Sequence, residues 1–412
     1  MPRYSIPLSL ALAGSATAAF AQDAPLRIAM HYTQEQAAPL IACLDDWDNG
    51  TAEYQQISYG DYLQTVLTGR LAGQSPDIYN VYGAVWGAQM VENGVLAEAP
   101  GDLARFVRDG YAGGTVNAAT IDGTLYGVPT EVSVYMLVSN MALLREAGFD
   151  APPVTWEELR EMAQAIQTSN DQGRTETAGF AFFQSSSGAG MVHPWYALTA
   201  SEGGAPYGED GEVELNSEAG QAALERMAGL VRDGIVDPTV DAYDAFPAGG
   251  AAMMIMANWY ETAIADGLGS LDDVVVSQIP MGEDWRTLQY AFFMGVDSGS
   301  DRQADAWALV RHLNEPRDGG PSCVARMLDG LGALTASAAD TAALPAPDAF
   351  TQPYVDALAE DRAVSQPNVM QASEIERSMA RTFEEVLAGD AEVGPALEGL
   401  NQEVDDILFE FR

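Results

Sequence analysis

Read for chemistry, the chain is poor in catalytic constellations and rich in aromatic residues at the ends of apolar runs. Tyr32 and Gln34 close and follow the run that starts at Leu26, and Tyr79, Asn80 and Tyr82 belong to the run that starts at Ile78. Asn258 and Trp259 end the segment 250–259, Tyr290 and Phe292 open 290–296, and Trp195 follows a Ser/Gly-rich loop. An aromatic ring beside an amide, carboxylate or guanidinium suits a ligand with apolar faces and hydroxyl edges, because the ring covers the face while the polar group pairs with the edge. In an open α/β sheet ligands sit beyond the carboxyl ends of the strands, the rule that singles out Tyr32, Gln34, Tyr79, Asn80 and Tyr82. An aromatic in a strand is also ordinary core, and Trp47 and Trp156 read as helix packing.

Other chemistries are excluded or unsupported. All 19 basic residues are arginine, so there is no phosphate-loop lysine, no kinase lysine and no Schiff-base lysine. His31, His193 and His312 are too scattered for a metal motif; Asp45, Asp46, Asp48 and Asn49 lack the calcium-loop spacing and its distal Glu. No nucleophile elbow occurs. With 60 acidic residues, a pair of glycosidase carboxylates could always be nominated, so nominating one decides nothing. The net charge of −41 repels nucleic acid and anionic membranes. No cofactor is expected, and no nucleic-acid partner.

The elements that must position these residues follow in order. Arg3, the apolar run 6–13 and the small residues ending Ala19-Phe20-Ala21 read as an export signal cleaved near Ala21, leaving a chain that starts near Gln22. Export places Cys43 and Cys323 in an oxidising compartment, where a disulfide is the expectation and two buried thiols the alternative. Strands over 26–32, 54–58 and 78 onward alternate with helices, a rhythm that implies a mostly parallel sheet covered on both faces. Further strands are expected at 132–138, 179–183, 250–259, 274–279 and 290–296, and helices at 86–92, 141–147, 156–168, 217–233, 301–313 and 319–329. Asn140 caps the helix at 141, and Thr155 with Glu158 forms a capping box.

The stretch 125–159 carries the most specific pattern. Tyr126-Gly127-Val128-Pro129, Ser139-Asn140, Ala147-Gly148-Phe149 and Pro152-Pro153-Val154-Thr155-Trp156-Glu157-Glu158-Leu159 occur in this order. It resembles the extracellular solute-binding proteins of ABC sugar importers, the maltose-binding-protein-like family, with Ser139-Asn140-Met141 departing from that family's usual Tyr-Asn-Lys. The Pro76-Asp77-Ile78 turn, Gly94-Val95-Leu96 and the segment 250–259 extend the resemblance. It implies an α/β, two-lobed periplasmic-binding-protein fold with a hinge between the lobes: residues 22–132 plus 293–338 in the first, 133–292 plus 339–412 in the second. It also puts Glu131 and Tyr135 at the hinge. The implied role is that of a periplasmic monomer, not an enzyme, that captures a sugar or small oligosaccharide and delivers it to the transmembrane permease subunits. A polyol, polyamine, amino acid or glycerol phosphate is the alternative ligand on the same fold.

Overall fold

The computed structural model describes residues 24–182, 190–208, 212–317, 319–366 and 368–409. The export segment 1–21, Gln22, and the loop from Phe183 onward lie outside them. Nine strands join one sheet: β1 (Leu26–Met30), β2 (Ala52–Gln56), β3 (Ile78–Tyr82), β4 (Val128–Asn140), β5 (Met253–Ala257), β6 (Val274–Ser277), β7 (Thr287–Val296), β8 (Leu334–Thr335) and β9 (Ala363–Ser365). The helices that matter below are α1 (Ala38–Leu44), α2 (Met141–Glu146), α3 (Trp156–Ile166), α4 (Val192–Ser201), α5 (Glu218–Arg232), α6 (Glu261–Leu268), α7 (Gln303–Asn314), α8 (Cys323–Asp329), α9 (Gln352–Ala359) and α10 (Ala372–Ala388).

β4 is the spine. All 13 of its residues are buried. From Val128 to Val134 it pairs antiparallel with β7, with β8 meeting it at Glu131 and Val132. From Tyr135 onward it pairs with β5 along one edge and β6 along the other. One continuous strand therefore serves two groups of strands, β1–β3 with β7 on one side and β5–β6 on the other. The expected mostly parallel sheet is corrected: parallel pairing is confined to β1 with β2 and β3, and to β7 with β9. The chain crosses along β4 and returns along β7 in the opposite sense, and that reversal makes the middle antiparallel.

β4 is also longer than the expected 132–138, because it begins at Val128 and runs through Pro129 to Asn140. Pro129 has no N–H to give the ladder, and the partner strand answers with a register shift between Ala291 and Phe293, opposite Pro129. At its other end the Asn140 Oδ1 accepts from the Ala142 and Leu143 amides at 3.0 and 3.4 Å and starts α2. The Thr155–Glu158 capping box opens α3 as expected. The expected strand at 179–183 does not form: Ala178 makes one parallel bridge to Ala251, and 179–182 are irregular. The expected helix at 86–92 is preceded by a wide π turn, Gly83–Gly87, and Gly83 lies so close to Ala118 that a Cβ would meet its carbonyl oxygen at 2.3 Å.

Two interactions lock the β1–β3 half. Cys43 at the end of α1 and Cys323 at the start of α8 form the expected disulfide, with Cα atoms 6.2 Å apart across 280 residues of chain. On the other side, Arg70 pairs with the buried Asp297 just beyond β7, and the Tyr79 hydroxyl donates to the same carboxylate at 2.7 Å. No helix among the described residues is long and apolar enough to cross a membrane.

A roomy cavity of about 790 Å³ lies against the β4 face that carries Val132 and the β7 position Gln289. Its walls are small or aliphatic, with Glu261 of α6, Asp329 and Asp348 among the acids at its lining. Burial, then Asp348, pushes the Glu261 carboxyl up to about 7. Gly332, at φ +70°, passes against that carboxylate where a Cβ would approach Oε2 to 2.5 Å.

Two outcomes follow. Reducing the disulfide, or Cys43→Ser with Cys323→Ser, removes a loop-closure constraint worth about 5 kcal/mol in chain entropy; the melting temperature should fall by several degrees in reductant, and identical melting with and without it overturns the stabilising role. Glu261 binds its proton more tightly folded than unfolded. Its contribution is therefore complete below the unfolded carboxyl range and is lost as pH rises through about 7. Glu261→Gln should thus gain stability relative to the parent between pH 4.5 and 8, by about 1 kcal/mol after solvent screening of this half-exposed group. Parallel melting curves at the two pH values would rule the carboxyl out.

Candidate functional site

Side chains alternate across a strand, so β4 presents different chemistry on its two faces. Glu131, Ser133 and Tyr135 share one face; Val132, on the other, lines the large cavity. The register places Tyr290 opposite Ser133 and Phe292 opposite Tyr82, so β3, β4 and β7 contribute rings to one surface. Default reasoning assigns a ligand to a roomy cavity such as the one beside Val132. Here that cavity has no aromatic lining, whereas the opposite face collects aromatic rings from both groups of strands.

From the β1–β3 side come His31, Tyr32, Tyr59, Tyr82 and Trp86. Tyr82 stacks on Phe292 at 4.9 Å and meets Tyr290 at 4.8 Å; His31 also stacks on Phe292 at 4.9 Å. Trp86 lies between Tyr62, stacked at 4.5 Å, and Tyr59 at 5.1 Å. Tyr59 is 40% exposed, so solvent reaches the cluster there. From the β5 side come Tyr135, His193 of α4, Tyr243, Trp259 and Tyr260, with the Trp259 ring edge-on to Tyr243 at 5.8 Å.

Polar groups thread these rings together. The Tyr32 hydroxyl donates to Glu131, and the Ser133 hydroxyl donates to the other carboxylate oxygen at 2.9 Å. Burial pushes the Glu131 carboxyl up, and the two donors oppose that rise. The Tyr82 hydroxyl donates to Gln366 Oε1 at 2.8 Å, and Gln366 Nε2 donates to Glu376 of α10 at 2.8 Å. His193 Nδ1 lies 2.8 Å from the Tyr135 hydroxyl and Nε2 lies 3.3 Å from Glu376. The chain is satisfied when Tyr135 donates to Nδ1 and the Nε2–H donates to Glu376. Burial pushes the His31 imidazole down to about 3, so it is neutral at any ordinary pH. Burial holds the hydroxyls of Tyr32, Tyr82, Tyr135 and Tyr290 protonated. The surface offers neutral hydroxyls, amides and imidazoles, two carboxyls and many ring faces. The Trp259 indole N–H is shielded from solvent and turns toward the Tyr290 hydroxyl.

The residues expected at a site divide accordingly. Tyr32, Tyr82, Glu131, Tyr135, Trp259, Tyr290 and Phe292 come together here, and Asn80 stands behind them, its Nδ2 3.2 Å from His31 Nδ1. Asn258 has a structural task, accepting from the Val134 amide at 2.9 Å and donating to the Val132 carbonyl at 3.3 Å, which fastens the end of β5 to β4. Tyr79 points to the opposite face of β3, toward Asp297. Trp195 is fully buried, donates to the Gly220 carbonyl at 3.0 Å and packs on Phe383, deep between α4, α5 and α10. Gln34 is exposed.

Sequence reasoning left out Tyr59, Trp86, His193, Tyr243, Tyr260, Gln366 and Glu376. Tyr59 was reachable, since the strand-end rule that singles out Tyr32 applies equally to the turn after β2. Gln366 and Glu376 were not, because nothing local ties them to strands some 230 residues earlier in the chain.

Comparison with known proteins agrees with this architecture. Residues 40–319 match the family of bacterial extracellular solute-binding proteins. A binding protein of Brucella abortus (strain 2308) is 25% identical over 271 residues, a match spanning 64% of this chain and 64% of that relative. A lactose-binding protein of Rhizobium radiobacter is 26% identical over 219 residues, 48% of this chain and 46% of the relative. Among solved structures, the GacH receptor of Streptomyces glaucescens aligns with TM-score 0.80 at 18% identity, covering 94% of this chain and 99% of that one. The sugar-binding protein MalE of Xanthomonas citri aligns with TM-score 0.78 at 21% identity, covering 94% and 98%. These likenesses show the two-lobed α/β fold, and the match over residues 40–319 makes this chain a member of the bacterial extracellular solute-binding protein family.

Proposed function

We propose that this chain is the substrate-capturing component of an ABC importer, and that it closes its two lobes over a saccharide. The observation that carries the reading is the aromatic surface on one face of β4 and β7, built from both sides of the crossing strands and interleaved with Glu131, Ser133, Gln366 and the Trp259 N–H. Ring faces stack on the apolar faces of a sugar, and the polar groups between them meet its hydroxyls. No arginine belongs to this cluster among the described residues, which disfavours glycerol phosphate and the carboxylate of an amino acid.

In this reading the lobes comprise residues 22–132 with 293–338 and residues 133–292 with 339–412, and motion is a hinge about β4 and β7 that ligand shifts by binding the closed form better. The protein works in the periplasm as a monomer, hands its cargo to membrane permease subunits and catalyses nothing. The solved relatives support the sugar class by what they bind: cycloalternan, acarbose and maltose occur in complexes of proteins with this fold.

A thermal-shift panel of monosaccharides, oligosaccharides, polyols, polyamines, amino acids and glycerol phosphate tests the ligand class. A ligand at 100 times its Kd adds about 2.7 kcal/mol to the folded state, and a rise confined to carbohydrates is expected. A rise with amines or phosphates alone keeps the fold and overturns the ligand. With the sugar in hand, Trp259→Ala should weaken binding by about 1–3 kcal/mol through lost stacking and the lost donor, read by titration calorimetry. Unchanged affinity with a lower melting temperature would make Trp259 a packing residue instead.

A further inference from the structure

One ring of the aromatic surface has a spare edge. The His31 imidazole, half-buried just beyond β1, is packed among other rings: Tyr32 lies 4.0 Å away at a 36° tilt, and Phe292 stacks on it at 4.9 Å. Tyr59 and Trp86 meet it edge-on at 5.7 and 6.4 Å. Its Nδ1 is taken by Asn80 Nδ2 at 3.2 Å. An amide nitrogen only donates, so Nδ1 accepts, and in a neutral imidazole the proton then sits on Nε2. Burial, which pushes this imidazole down to about 3, keeps a second proton off. The Nε2–H has no hydrogen-bond partner among the described residues and, unlike the Asn80 amide oxygen, it is not sealed from solvent.

Asn80 itself is fully buried, and its amide oxygen completes no hydrogen bond among the described residues. A buried amide with an unpaired oxygen destabilises a fold, where an aliphatic side chain at the same place would not. What the amide does that Leu or Val could not is hold the imidazole in one tautomer and one orientation. The other titratable groups beside the ring leave that arrangement undisturbed. Burial pushes the Tyr32 and Tyr59 hydroxyls up, so both stay protonated, and Glu131 accepts from Tyr32 and Ser133.

Resting on the saccharide reading above, we infer that the His31 Nε2–H donates a hydrogen bond to an oxygen of the bound sugar, and that Asn80 is the positioning residue that fixes its tautomer. A neutral donor set among ring faces suits a hydroxyl or ring oxygen and gives no special advantage to an anion.

Titration calorimetry on the full mature chain tests this with maltose, maltotriose, lactose, cellobiose and any further carbohydrate that raises the melting temperature, the tightest binder serving as probe. A glutamine amide nitrogen falls near the Nε2 position of histidine, an asparagine nitrogen near Nδ1. His31→Phe and His31→Asn should each weaken the probe by roughly tenfold or more, while His31→Gln stays within about threefold of the parent. Asn80→Asp offers Nδ1 only acceptors, so the neutral ring carries its proton on Nδ1 and loses the donor at Nε2 until it takes a second proton. Its loss of affinity, measured as a ratio to the parent at each pH, should be largest near about pH 8 and shrink toward about pH 5.5; a packing role alone would not produce that slope. Parent-like binding by His31→Phe, or equal binding by the Asn and Gln variants, overturns the donor and leaves the saccharide reading standing. The Asn and Gln pair decides the matter even if His31→Phe folds poorly. A loss in Asn80→Asp that is the same at both pH values overturns the positioning role. Silence from every carbohydrate overturns the saccharide reading, and the inference with it.

Discussion

A strand covered on both faces and paired along its edges has little freedom of its own, and β4 is buried for all 13 residues, with partners on both edges at 131–132 and 137–139. Every backbone donor it owns is committed to a neighbour or must find one, because a buried unpaired amide is costly. β7, β8, β5 and β6 are arranged to answer that demand in turn. Asn258 supplies the join, holding the Val134 amide and the Val132 carbonyl where β4 passes from one set of partners to the other. Motion between the two groups of strands must be absorbed as twist and bend in β4 and β7, near residues whose side chains face the site.

That placement explains why the site is where it is. Alternation along β4 sends Glu131, Ser133 and Tyr135 to one side and Val132 to the other, and β7 repeats the pattern with Tyr290 and Gln289. The two crossing strands act as a partition. One face carries rings and polar atoms from both groups of strands; the other carries a roomy but chemically plain cavity edged with acids. Volume and chemistry point to opposite sides of the partition, because the ring faces and hydrogen-bonding atoms converge on the face away from the cavity.

Much of the framework was legible from local signals. Asn140, Thr155 and Glu158 mark helix starts through hydrogen bonds made within three residues, and the structure forms them. β1–β3 and their helices announce themselves by periodicity. Export chemistry pointed to the disulfide between Cys43 and Cys323, and it is present. The failures are equally physical. The expected strand stopped short of Pro129, which lacks an N–H for the ladder, yet a register shift in β7 accommodates it inside the strand. Parallel pairing was inferred from the first three strands, where it holds, and extended to crossing strands that reverse direction. Strand-end position singled out Tyr32, Tyr79 and Tyr82 alike, and the pleat turns Tyr79, one residue out of phase with Asn80, toward Asp297. Trp195 sat in a plausible loop but was drawn into the core by Phe383 and the Gly220 carbonyl.

The interleaved connectivity also dictates an order of assembly. β1, β2 and β3 are made first, but their sheet is completed by β7, and their helical cover is tied down by α8 only when Cys323 is available to Cys43. A chain emerging from its amino end must therefore keep its earliest strands open, with apolar faces uncovered, through some two hundred residues of unrelated sequence. Such late, long-range closure is slow and exposed to aggregation. Premature completion of that half is prevented by topology itself, since its last strand becomes available only once most of the chain is made.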